Sequence, residues 1–80
     1  MKFNEMVKVE LKKARQQHGP VRSVHEGYAV ILEELDEVWE EVKKKTSERN
    51  FTNLLKELVQ VSAMAQKMAE DVVAPQIKKK

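Results

Sequence analysis

Apolar and polar positions divide the chain into three segments of helical period. Phe3, Val7, Leu11 and Ala14 recur at helical spacing, which predicts a first helix over residues 4–17 with Asn4 as its N-cap. Gly19-Pro20 stops it. Ser23 with Glu26 three residues on is a capping-box pattern, so a second helix is expected over residues 24–44. Its apolar face is Ile31, Leu35, Val38 and Val42, and Lys43, Lys44 and Lys45 end it where the helix dipole favours cations. After a polar link, with Ser47 as cap, the stripe Phe51, Leu54, Leu58, Val61, Ala65, Met68 and Val72 predicts a third helix over residues 48–73, terminated by Pro75. Period-two alternation is absent, so strands are not expected. The fold class expected is all-α: an antiparallel helical hairpin preceded by an N-terminal helix, one domain over residues 1–75, with residues 76–80 a disordered basic tail.

Eighty residues leave much of a small domain's surface in water, which predicts self-association into a helical-bundle oligomer. No cysteine is present, so disulfides and thiolate metal sites are excluded. No apolar run is long enough to span a bilayer and no signal-peptide pattern opens the chain, so no membrane partner is expected and the expected compartment is the cytoplasm. The net charge of +2 is too small to imply a nucleic-acid partner, although residues 1–22 carry six basic and two acidic side chains.

Candidate chemistry enters with the second helix, which packs six carboxylates between Glu33 and Glu41 without losing its apolar rhythm. On a helical wheel, Glu34 and Glu37 fall roughly 60° and 120° to one side of the Ile31/Leu35 stripe, with Glu41 between them one turn on. In the third helix Glu57 and Gln60 fall at the same angles and on the same hand beside Leu54/Leu58. Antiparallel neighbours keep same-handed flanks on the same side of their seam, and the two pairs are equally distant in sequence from residue 47. Four oxygen-bearing side chains should therefore converge. Such a cluster is costly without a cation, and an all-oxygen donor set suits Mg²⁺ or Mn²⁺. Mg²⁺ keeps positions open for phosphate oxygens, which makes a nucleoside triphosphate a natural ligand.

The run Ile31-Leu32-Glu33-Glu34-Leu35-Asp36-Glu37, followed about twenty residues on by Leu55-Lys56-Glu57-Leu58-Val59-Gln60, resembles the MazG-like, all-α nucleoside triphosphate pyrophosphohydrolases. The resemblance spans about residues 18–73 and takes in His18-Gly19-Pro20 and Ala63-Met64-Ala65. It implies Mg²⁺-dependent hydrolysis between the α and β phosphates to a nucleoside monophosphate and pyrophosphate, in a dimer or tetramer, with Glu34, Glu37 and Glu57 as metal ligands. Gln60 stands where the family carries Asp: a neutral amide replaces a carboxylate, and Glu41 on the same flank is the candidate to compensate. The alternative reading is a non-catalytic helical interaction module of the same fold with a degraded metal site.

Plainer roles are assigned to the remaining polar and aromatic residues. Asp36 and Glu40 point away from the cluster and solvate the helix, and Glu26 is accounted for by capping. His18 and His25 lack ligand partners at helical spacing. Trp39 and Tyr28 lie opposite the acidic flank, where core or subunit-interface packing suits them. Met6, Met64 and Met68 read as core filler.

Overall fold

A computed structural model describes residues 1–78. Its elements are α1 (Phe3–Gln17), α2 (Val24–Val42), a 3₁₀ turn at Thr46–Glu48, α3 (Phe51–Met68), a π-helical turn at Ala69–Val73 and α4 (Ala74–Lys78). There is no strand among the described residues. No helix among them is long and apolar enough to cross a membrane.

Helix α3 is central and packs against both α2 and α1. The core lies where α1 meets α3: Val7 and Leu11 close on Val59 and Ala63, with Met6 and Met64 packed against them. Each buried valine or leucine there contributes about 1.5–3 kcal/mol. Ala63, fully buried, is the small residue that lets α1 approach. Against α2 the contact is different. Gly27 is buried beside Met68, and a Cβ at Gly27 would stand 2.6 Å from both Met68 Cγ and Sδ, so the helices meet this closely because that Cβ is absent.

Both helix 2 and helix 3 sit on their neighbours in a rotation different from the one their apolar stripes predict. Leu35 and Val42 are exposed while Gly27 and Glu41 are buried, and in α3 the buried positions are Val59, Ala63 and Lys67 rather than Phe51, Leu58 or Ala65. The apolar arc of each helix is wider than one helix contact can cover, so one edge of it is packed and the other is left in solvent. Phe3 is likewise exposed, unlike Val7, Leu11 and Ala14.

Helix boundaries follow the caps. Ser23 Oγ accepts the Glu26 N–H at 3.1 Å, as the capping-box pattern requires. At α1 the N-cap is Lys2, without a side-chain bond, and Asn4 lies inside the first turn. At α3 the cap is Asn50, not Ser47: Asn50 Oδ1 accepts the Asn53 N–H at 3.0 Å, and Ser47 lies in the 3₁₀ turn. Helix α2 ends at Val42, where Arg49 Nη2 donates to the carbonyls of Val42 and Lys44 at 2.7 and 2.9 Å and satisfies orphan acceptors.

Pro75 does not end the helical path. It lacks an N–H and its ring would collide with a carbonyl in the preceding turn, but the π-helical turn at Ala69–Val73 widens the spiral ahead of it and α4 continues. The basic tail expected from residue 76 is therefore helical through Lys78; its last two residues, Lys79 and Lys80, lie outside the described residues.

The π turn also aims Asp71 at the α1–α2 loop. Asp71 Oδ2 accepts the Val21 N–H at 2.9 Å and Oδ1 accepts from Arg15 Nη1 at 2.7 Å. Lys67 Nζ, one turn earlier, donates to the Gly19 carbonyl at 2.6 Å and lies 3.6 Å from Asp71 Oδ2. Burial pushes the Asp71 carboxyl upward, but the Val21 N–H and the Arg15 and Lys67 cations outweigh it and hold the group below its ordinary pKa. Three chain segments are thus tied together at one carboxylate.

Candidate metal centre

Glu34 and Glu37 stand one turn apart on α2, and Glu57 faces them from α3. One carboxylate oxygen of each lies within 4.8 Å of the other two, close enough for all three to share one cation. The matching flanks predict four converging side chains, and three of them, Glu34, Glu37 and Glu57, lie together here. Gln60, one turn beyond Glu57, lines the cleft that opens beside Glu34.

Burial and mutual repulsion raise two members of the triad. Burial pushes Glu34 up to about 7, and the neighbouring Glu37, Glu57 and Glu33 charges add to it. Glu57 is raised in the same direction, by burial and then by Glu37 and Glu41. Glu57 Oε2 is sealed from solvent and receives no hydrogen bond. A buried carboxylate oxygen without a donor is expensive. Three carboxylates placed together are an oxygen donor set that could hold a hard divalent cation.

Glu41 is not a member of this group. Its side chain is 2% exposed, with Oε2 accepting the Asn50 N–H at 2.7 Å and Oε1 accepting from Asn53 Nδ2 at 2.9 Å and Lys44 Nζ at 3.1 Å. These donors, the Asn50 N–H first, pull its pKa down to about 2 despite burial. Its lone pairs are committed to the α2–α3 connection, so the compensating ligand role expected for it on wheel angle is replaced by a structural one. The wheel angle brought it to the right flank. It could not show that the chain reverses there and offers its own N–H groups.

No family model, curated protein or solved structure matches this chain.

The cleft beside the triad has a volume of about 550 Å³, within the size range of small-molecule sites. Its walls include Glu26, Glu33 and Glu34 from α2, Gln60, Met64 and Lys67 from α3, and His18, Gly19 and Val21 from the α1–α2 loop. Lys67 is the residue that sequence reasoning passed over. At 4% exposure it is a buried lysine, and a lone Lys between Gln66 and Met68 gives no sign of that. Its partners Gly19 and Asp71 come together only in three dimensions, apart from the four-residue step between Lys67 and Asp71. Arg15 of α1 is engaged by Glu70 and Asp71 at 2.8 and 2.7 Å.

Proposed function

We propose that the chain is a Mg²⁺-dependent nucleoside triphosphate pyrophosphohydrolase of the MazG-like kind, cleaving between the α and β phosphates to give a nucleoside monophosphate and pyrophosphate. The observation that carries this reading is the Glu34, Glu37 and Glu57 triad with its donor-less buried Glu57 oxygen. Those three residues would hold Mg²⁺, or Mn²⁺, with Gln60 as a neutral neighbour. When bound, the cation supplies charge neutralisation at the phosphoryl group and lowers the pKa of water.

The chain's own residues do the rest. Glu10, Glu26 and Glu33 give the cleft a negative wall, which repels a bare triphosphate and admits one already paired with a divalent cation. Lys67 brings a positive charge to that wall, held in place by Gly19 and Asp71. Val30 and Met64 give the cleft apolar surface for a base. Glu34, held near neutrality before metal arrives, gives up its proton as the site fills.

One observation favours a second reading, a non-catalytic module of the same fold: Gln60 replaces the fourth carboxylate and binds a cation more weakly. The experiment that separates them is pyrophosphate release from a panel of canonical and modified nucleoside triphosphates with Mg²⁺ or Mn²⁺. The enzymatic reading predicts release that Glu34→Ala abolishes. Silence across the panel, together with no Mg²⁺ or Mn²⁺ binding that Glu34→Ala abolishes, favours the module.

A further inference from the structure

The cleft beside the triad has a polar far end that chemistry at the phosphates does not use. Lys67 is buried and lines it. Of its three ammonium donors, one is spent on the Gly19 carbonyl at 2.6 Å; Asp71 Oδ2, at 3.6 Å, is beyond hydrogen-bond length and already accepts the Val21 N–H. A buried cation with donors to spare calls for an acceptor in the cleft. Glu26 lines the same cleft from α2, and it meets its cap through the backbone N–H, which donates to Ser23 Oγ.

Glu26 and Lys67 are level with each other. Gly27 meets Met68 toward one end of the α2–α3 contact, and Glu34 and Glu37 meet Glu57 toward the other. Counting along the antiparallel helices from those meeting points puts Glu34 level with Gln60, Val30 with Met64 and Glu26 with Lys67. By helical rise, Met64 stands about 10 Å and Lys67 about 15 Å along α3 from Glu57. The cleft is therefore ordered: the triad, then apolar Val30 and Met64, then a carboxylate and an ammonium. A nucleotide with its phosphates at the triad lays its base on Val30 and Met64 and brings the outer edge of that base to Glu26 and Lys67.

We infer that Glu26 and Lys67 select guanine as the base, an inference that rests on the proposed nucleotide reading of this cleft. Guanine carries two N–H donors side by side, N1–H and the N2 amino group, next to the O6 acceptor. The two N–H groups match the two oxygens of the Glu26 carboxylate, and O6 takes a spare N–H of Lys67. The other common bases meet only part of this pair. Adenine and cytosine offer a single amino group on that edge, and thymine and uracil a lone N–H between two oxygens that a carboxylate repels. Lys67 is anchored by Gly19 and Asp71, so its ammonium stays at the base level without a bound ligand.

Binding of base analogues to the full chain with Mg²⁺ tests it, using nucleoside triphosphates whose α–β bridging oxygen is replaced by a methylene, so that they bind without being cleaved. By titration calorimetry the guanosine analogue should bind at least about tenfold more tightly than the inosine analogue, which lacks the N2 amino group, and than the adenosine analogue, which has an amino group where O6 stands. Glu26→Gln keeps one acceptor and should bring guanosine down to the inosine value while leaving adenosine unchanged. The analogue series is measured on the wild-type chain, so the outcome does not depend on a variant of buried Lys67 that can lose its fold. Equal binding of all the bases, or a guanosine preference that Glu26→Gln leaves intact, overturns the guanine assignment and leaves the proposed hydrolysis standing. Binding of none of the analogues overturns both.

Discussion

Glu41 Oε2 lies 2.7 Å from the backbone nitrogen of Asn50, and this bond joins the last turn of α2 to the cap of α3. Asn50 is itself the residue whose side chain caps α3, so one carboxylate fixes both the reversal of the chain and the first turn of the next helix. Glu37 is one turn before Glu41, and Glu57 one turn after Asn53, which also donates to Glu41. The Glu41–Asn50 bond thereby sets the level at which the triad meets.

Replacement of Glu41 by Gln puts an amide NH₂ against donors that need an acceptor. Thermal unfolding of Glu41→Gln should begin roughly 5–15 °C lower than in the wild type. The sign of the pH dependence follows from a carboxyl depressed to about 2 in the folded chain: its stabilisation is present above the ordinary carboxylate range and is lost as pH falls toward 2. Acid unfolding of the wild type should therefore be steeper than that of the variant, measured by circular dichroism.

Glu34 has the opposite sign. Its pKa of about 7 in the folded chain exceeds the unfolded value, so its contribution is present in acid and is lost as pH rises through 7. In chelator, the melting temperature should fall between about pH 5 and pH 8, and Glu34→Gln should flatten that fall. Added Mg²⁺ should stabilise the wild type more at the upper end of the range, where it no longer competes with the proton.

Asp71 tests what holds the cleft mouth. Asp71→Ala leaves the buried Lys67 ammonium with only the Gly19 carbonyl and frees the Val21 N–H. Unfolding free energy from urea titration should drop by about 3 kcal/mol. Lys67→Met, which removes the charge and keeps the bulk, should cost less, and the double variant should cost less than the two singles combined. Additive losses would mean that the two side chains act independently.

Much of the hairpin was legible in the pattern of the chain. Ser23 with Glu26 announced the start of α2 as a local capping pattern, and the matched positions of Glu34, Glu37 and Glu57 announced the triad through helical period and the antiparallel turn between neighbouring helices. The rotation of each helix against its neighbour was not legible. It depends on Gly27 meeting Met68 and Ala63 meeting α1, contacts between residues far apart in sequence. For the same reason Glu41 read as a candidate compensating ligand and Lys67 was passed over, whereas one is sequestered by a chain reversal and the other by a loop. Pro75 misled because the rule that proline ends a helix assumes an α-helical turn before it, and here that turn is π-helical.

The triad is the centre of the account, and metal binding tests it without reference to any substrate. Titration calorimetry with Mn²⁺ and Mg²⁺ should show a site in the wild-type chain that Glu57→Gln weakens at least about tenfold. Glu40→Gln, on the solvent side of α2, should leave that affinity unchanged. Absence of metal binding by the wild type, or equal affinity in the wild type and Glu57→Gln, would contradict the assignment of Glu34, Glu37 and Glu57 as a metal centre.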